Sequence, residues 1–295
     1  MAEPTVFASP KGTTMQVVTK KNEVMQWVSI CRSAGSRIAL VPTMGYLHQG
    51  HLDLIREARN HADRVAVSIF VNPTQFGPKE DLSSYPRSLQ QDLKRCEAEG
   101  ADLVFAPEDG EMYDADHSTW VNEDSVSLGL CGRSRPGHFR GVLTVVAKLF
   151  NLVDCDVAVF GQKDLQQVTL IEKMVRELDM SVRIVRVPIR READGLAMSS
   201  RNAYLSPSER AVAPELHRSL ETGVRILEQS KACEASGLLE AMSRYLSRFP
   251  DFRLDYLEIV DRRSLLPVEQ AVAGQIVIAV AASLGKTRLI DNIEA

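Results

Sequence analysis

Apolar residues fall along this chain in short runs that alternate with spaced stripes. Ile38-Ala39-Leu40-Val41 is a run long enough for a buried strand and too short for a helix. Over 52–62, Leu54, Ile55, Ala58 and Ala62 recur at helical spacing, and 65–71 is a second apolar run. Strand, helix and strand in about 34 residues predict a βαβ unit, the building block of parallel sheets. The alternation continues with a helix over 89–99 capped by Gly100, a strand over 103–106 and a strongly apolar helix over 142–152. A strand over 157–160, a helix over 165–178 and a strand over 182–187 closed by Pro188 follow. Ahead of the first strand, Val17, Val24, Trp27, Val28 and Cys31 predict a helix over 16–34.

This order specifies an α/β class: a Rossmann-like parallel sheet with helices on both faces. Past Pro188 the pattern changes to helices over 207–229 and 233–248 and strands over 254–260, 275–282 and 287–290. The division expected is a loose N-terminal arm (1–15), a Rossmann-like domain (16–188) that would carry the ligand sites, and a smaller C-terminal α/β lid domain (189–295).

Composition narrows the function. Apolar residues make up 44% of the 295 and the net charge is −4, so there is no basic excess to hold a nucleic-acid backbone. No apolar run reaches the length of a membrane span, and the polar first residues contain no signal-peptide core. The five cysteines are scattered and lack zinc-like spacing, which suits reduced thiols in the cytoplasm.

Candidate chemistry collects where predicted strands end. Between the first strand and its helix lie Met44, Gly45, Tyr46, Leu47, His48, Gln49, Gly50 and His51. In α/β folds that edge binds ligands, and backbone amides at a helix start favour anions. Two imidazoles three residues apart can both donate to phosphate oxygens there. The next loop carries Asn72 and Gln75; Gln75 is not a usual turn residue. Arg133 to Gly141, with Arg135, is the most basic stretch and precedes the apolar helix. Gly161, Gln162, Lys163 and Asp164 form another strand-to-helix turn, with Gln167 three residues on. After the last strand come Arg190, an Asp194-Gly195 turn signal, and Met198, Ser199, Ser200 and Arg201.

Taken together and in order, these pieces resemble the pantoate–β-alanine ligases of the nucleotidyltransferase-like adenylating superfamily. The resemblance rests on Pro42-Thr43-Met44-Gly45…His48…His51, Phe70-Val71-Asn72-Pro73…Gln75-Phe76 and Tyr85-Pro86-Arg87. It continues through Arg135-Pro136-Gly137-His138-Phe139, Gly161…Lys163-Asp164…Gln167, Ser199-Ser200-Arg201-Asn202 and Arg288-Leu289-Ile290-Asp291-Asn292. It implies that ATP and (R)-pantoate give pantoyl adenylate, which the amine of β-alanine then attacks to give pantothenate and AMP. It implies ATP contacts from 44–51, 161–164, Arg190 (by its backbone) and 198–201, and charge stabilisation by His48, His51, Lys163 and Arg201. It also implies pantoate or β-alanine contacts from Gln75, Gln167, Asn72 and Arg135, Mg2+ accompanying ATP with no protein ligand assigned, and a homodimer. One departure stands out: the chain reads Leu130-Cys131-Gly132 where many members read Leu-Glu-Gly. Two other readings share the His48/His51 loop. A nucleotidyltransferase acting on a phosphate-bearing acceptor has no use for the paired glutamines, and a nucleotide sensor releases no pyrophosphate.

Overall fold

A computed structural model describes residues 6–8, 14–78 and 80–295. Most of the expected N-terminal arm lies outside these residues. The chain divides into two units, one of Met1–Glu123, Gly137–Gln162 and Leu170–Pro188 and another of Asp124–Pro136, Lys163–Thr169 and Ile189–Ala295.

In chain order the elements begin with β1 (Val6–Ala8), β2 (Thr14–Val18), α1 (Lys21–Ser33), β3 (Ile38–Thr43) and α2 (Gln49–His61). Next are β4 (Arg64–Ile69), α3 (Leu89–Ala98), β5 (Leu103–Phe105) and α4 (Asp109–Met112). The short α5 (Leu130–Ser134) belongs to the second unit; α6 (His138–Val153), β6 (Val157–Gly161), α7 (Leu165–Glu177) and β7 (Arg183–Val187) complete this half of the chain.

The first unit is built on a seven-stranded sheet in the order β1-β2-β5-β4-β3-β6-β7, parallel except for β1 at its edge. Both faces are buried, as a parallel sheet requires. Ala39, Val41, Val65, Val67, Val157 and Val159 pack with Leu54, Ile55 and Ala58 of α2 and Leu93 and Cys96 of α3. The alternate residues Ile38, Leu40, Ala66 and Phe160 are equally buried on the opposite face, where Phe160 meets Phe150 of α6.

β3 leads by α2 to β4 on one side, while β6 leads to β7 on the other. The sheet therefore has its topological switch point between β3 and β6, the usual ligand position in such folds. The two strands pair only at Ala39 and Leu40, so they part toward their carboxyl ends.

The helix expected over 16–34 is shorter than its periodicity suggested. Gln16–Val18 instead pair in parallel with Leu103–Phe105. Glu23 accepts hydrogen bonds from the Thr19 and Lys20 amides, which fixes the helix start and leaves the preceding residues extended. The basic stretch is likewise less of a loop than expected: only 135–137 separate α5 from α6.

The second unit contains α8 (Pro207–Val212), α9 (Glu215–Ser230), β8 (Ala232–Glu234), α10 (Ala235–Leu246), β9 (Phe252–Asp261), β10 (Gln270–Val272), β11 (Ile276–Leu284) and β12 (Thr287–Glu294). β12, β11 and β9 form an antiparallel sheet whose Ile276, Ile278 and Val280 pack with Leu216 and Leu220 of α9 and Leu238 and Met242 of α10. The helix expected over 207–229 is broken at Ala213–Pro214, where proline cannot continue the hydrogen-bond ladder. Cys233, expected in a helix, lies on β8 paired with Ala271. Four of the five cysteines are buried; Cys233 is half-buried.

Candidate active site

The loop after β3 is shaped by its own backbone. Gly45 and Tyr46 have φ of 79° and 49°, both left-handed. A Cβ on Gly45 would lie 3.0 Å from the Ile69 side chain and 3.1 Å from Asp92 Oδ2. Asp92, on α3, is 1% exposed and accepts the Tyr46 and Leu47 amides, each at 2.7 Å. Arg95, one turn on, donates to the Leu47 carbonyl. Thus α3 holds the loop at both backbone polarities. Burial pushes the Asp92 carboxyl above its usual range, against the two amide bonds and the Arg95 charge.

Held this way, the loop delivers His48 as the N-cap of α2. His48 Nδ1 accepts the Gly50 amide at 3.2 Å, and His51 Nδ1 accepts the His48 amide at 3.2 Å. The rings lie 4.1 Å apart, centroid to centroid. An accepting Nδ1 assigns each ring hydrogen to Nε2, so both histidines are Nε2–H donors without carrying a charge. Gly161 ends β6, and Gln162 starts the helical turn that continues through Lys163 to Asp164.

Asn72 and Gln75 form a second cluster in this unit. Asn72, 1% exposed, uses its whole amide internally. Its Oδ1 accepts from Tyr113 Oη at 2.9 Å, Thr74 Oγ1 at 2.9 Å and the Thr74 amide at 3.3 Å. Its Nδ2 donates to Gln75 Oε1 and to the Gly141 carbonyl, both at 3.1 Å. The Gln75 amide is thereby oriented: its oxygen is bonded to Asn72, and its Nε2 faces the weak acceptor Met44 Sδ at 3.2 Å. His138 Nδ1 donates to the Gln75 carbonyl at 2.8 Å. Position 141 permits no side chain, because a Cβ there would lie 2.5 Å from the Thr74 carbonyl oxygen.

The remaining candidates lie in the second unit. Lys163 Nζ is 3.8 Å from Asp164, and its carbonyl accepts from Asn292 at 3.1 Å. Gln167 is half-buried on the first turn of α7. The loop 190–201 is a tight hairpin: the Met198 amide donates to the Arg190 carbonyl at 2.9 Å, Arg191 bridges to Ala197, and Gly195 turns at φ 97°. Ser199 Oγ accepts the Arg201 amide, and Ser200 is buried. Asn202 ties this end to Glu192 at 2.7 Å and to the Ala197 carbonyl at 3.1 Å.

Arg135 is half-buried just past α5. Its neighbour Arg133 is engaged by Glu258 at 2.8 Å. The segment before it is secured by Gln166, which accepts the Cys131 amide and donates to the Val126 and Gly129 carbonyls. Cys131 Sγ rests 3.2 Å from Tyr256 Oη and 3.6 Å from Arg288, whose charge is taken by Asp255 at 2.6 Å. The thiol is accommodated without leaving that arginine unpaired.

Among the described residues, no group of three His, Cys, Asp or Glu side chains is arranged to hold a metal. No described helix is long and apolar enough to cross a membrane.

Comparison with known proteins decides the family. The model for pantoate-beta-alanine ligase matches residues 16–294. The chain belongs to the pantoate-beta-alanine ligase family. Pantothenate synthetase from Pseudothermotoga lettingae is 51% identical over 278 residues, 94% of this chain and 98% of its own. That from Desulfovibrio desulfuricans is 52% identical over 280 residues, 95% of this chain and 99% of its own. Among solved structures, pantothenate synthetase from Thermus thermophilus superposes with a TM-score of 0.89 at 43% identity, covering 95% of this chain and 99% of its own. Pantoate-beta-alanine ligase from Francisella tularensis, complexed with beta-gamma ATP and beta-alanine, gives 0.76 at 32% identity, covering 95% and 97%. The chain is thus a ligase of pantothenate biosynthesis that joins pantoate to β-alanine.

Sequence patterns did not mark Tyr113 or Gln166, and suggested for Asp92 only that its carboxylate could meet the ion accompanying ATP, whereas it holds the loop after β3. Each acts on a segment far away in the chain. Only the placing of Asp92 on the apolar side of an amphipathic helix was a visible signal.

Proposed function

We propose that the ligase works in two steps, forming pantoyl adenylate from ATP and (R)-pantoate before the amine of β-alanine displaces AMP. The observation that carries this reading is the pair of neutral Nε2–H donors, His48 and His51, beyond β3 at the switch point of the sheet. A carboxylate is a poor electrophile until one oxygen joins a good leaving group. When pantoate oxygen attacks the α-phosphate, charge develops on the departing pyrophosphate, where preorganised donors are most effective. His51 donates to that leaving group, and His48 and the 44–50 backbone hold the phosphates. Lys163 and Arg201 supply positive charge, and Gln162, Asp164, Met198, Ser199, Ser200 and the Arg190 backbone complete the contacts to ATP. Mg2+ enters as part of the nucleotide substrate, carried on phosphate oxygens.

Gln75, with Nε2 presented by Asn72, donates to pantoate. A neutral amide suits a carboxylate that must remain nucleophilic, since a tight arginine pair would compete for its electrons. Gln167 and Arg135 contribute further substrate contacts. ATP and β-alanine, the ligands carried by the Francisella tularensis relative, are taken as substrates here as well.

Location in the cytoplasm accords with the unpaired cysteines. A homodimer is the assembly expected from the family; light scattering at micromolar concentration should give twice 32.7 kDa, and a monomer would remove that part of the reading.

The two-step mechanism is tested by ATP–pyrophosphate exchange. Exchange should need pantoate and proceed without β-alanine. Exchange that required β-alanine would replace the two steps by a concerted reaction.

A further inference from the structure

The last strand carries two buried polar residues side by side. Asp291 and Asn292 are 3% and 4% exposed. Successive side chains on a strand point to opposite faces, so Asp291 shares the face of Leu289, which packs in the core of the second unit. A carboxylate there is out of place on grounds of burial alone. It is met from several sides: by Arg191 in a two-pronged pair at 2.7 and 3.0 Å, by the Asn292 amide at 2.7 Å, and by His217 Nδ1, 3.1 Å away. Burial works against its charged form, but the nearness of His217 and the two bonds and charge of Arg191 outweigh it and hold the carboxyl below the usual range. Asn292 makes a different connection, donating from Nδ2 to the Lys163 carbonyl at 3.1 Å.

These contacts end on two segments assigned to the nucleotide. Arg191 sits at the base of the 190–201 hairpin, where it also donates to the Gly195 carbonyl at 3.1 Å. The turn Ser200–Tyr204, which closes that hairpin, packs against β12. Lys163 is the cation of the other segment. We infer that Asp291 and Asn292 are positioning residues for adenylation, fixing the 190–201 hairpin and the Lys163 turn from adjacent positions of one strand. This rests on the reading that both segments serve the nucleotide. Neither residue needs to touch substrate. Leucine or valine at 291, with Arg191 made apolar as well, would fill the apolar face, and replacing a whole buried ion pair by packed apolar groups is often neutral for stability. The hydrogen-bond pattern supplies what apolar packing cannot, a fixed register between the strand and two loops that carry charge.

The test separates the half-reactions in Asn292→Ala, Asp291→Asn and, as a control, Lys163→Ala. Pantoate-dependent ATP–pyrophosphate exchange reports the first step. Reaction of β-alanine with preformed pantoyl adenylate reports the second. In Asn292→Ala and Asp291→Asn, exchange should fall about 10- to 100-fold, the scale of a small misplacement of a working group. The second step should be affected much less, within about threefold of the wild type for Asn292→Ala, because pyrophosphate has left before it begins and only the AMP part of the nucleotide remains. Lys163→Ala should lose about 100- to 1000-fold in exchange alone. Equal losses in both steps for Asn292→Ala would show a structural role only and overturn the inference, as would unchanged exchange. If Lys163→Ala leaves exchange intact, the assignment of the turn to the nucleotide fails, and the inference falls with it. Should Asn292→Ala not fold, Asn292→Ser, too short to reach the Lys163 carbonyl, is read in the same way.

Discussion

Asp92 shows how one buried residue can set stability and activity against each other. Its ionised form accepts two amides of the loop after β3, proposed above to hold phosphate, yet burial raises its pKa. A carboxyl whose folded pKa is raised contributes stability below its unfolded value, about 3.9, and loses that contribution as pH rises through the folded value. Adenylation needs the opposite state, because a protonated carboxyl cannot accept both amides. Exchange activity should therefore fall on acidification at a pH above the ordinary carboxylate range, while this group's share of stability rises. Asp92→Asn should lack that limb and lose about tenfold or more in exchange, since one loop amide is left unpaired at about 1–3 kcal/mol. Exchange rates and melting curves measured together on acidification from neutral pH check both signs. At Gln75 the expected outcome is weaker pantoate binding in Gln75→Leu, by about 5- to 150-fold, with ATP affinity within about threefold. Calorimetry with each ligand decides it; retained pantoate affinity with lost ATP affinity would move Gln75 to the nucleotide. The histidines and glutamines were legible in the sequence because strand-end loops declare themselves by punctuation. The loop-holding role of Asp92 and the part of Tyr113 were not, since their partners lie 46 and 41 residues away, beyond any local pattern.

At the scale of elements, the close contact between α6 and the Pro73–Gln75 turn invites a direct test. Gly141→Ala puts a Cβ within 2.5 Å of the Thr74 carbonyl oxygen and 2.8 Å of the Gln75 amide, both backbone. The helix or the turn must shift, at about 1–3 kcal/mol of overpacking. Melting should drop by several degrees and pantoate binding should weaken, whereas Gly110→Ala, with nothing within 4 Å, should leave both unchanged. Equal behaviour of the two variants would remove the claim that α6 sets the Gln75 turn. Elements themselves were read well where apolar periodicity was strong, as over α2, β3 and β6. They were misread where short-range chemistry overrode it: Glu23 starts α1 late, and Pro214 divides what looked like one helix.

At the scale of the whole chain, the change of pattern near Pro188 marks where the second unit resumes, but not everything it holds. Residues 124–136 and 163–169 also belong to it. Gln166 binds the first of these segments to the second, and Asn292 binds the second to β12. Such assignments depend on partners 35 and 129 residues apart, and periodicity carries no information at that range.

The burial of the cysteines gives the molecule a single chemical handle. Cys96 and Cys155 are pushed up to about 12 by desolvation, and burial likewise raises Cys31. Cys131 is 8% exposed against Tyr256, which leaves half-buried Cys233 on β8 for an electrophile to reach. Maleimide at neutral pH should add once to the native ligase and five times after unfolding, as read by intact mass. A dye attached in this way would mark the second unit at one known position, Cys233, without any engineered residue.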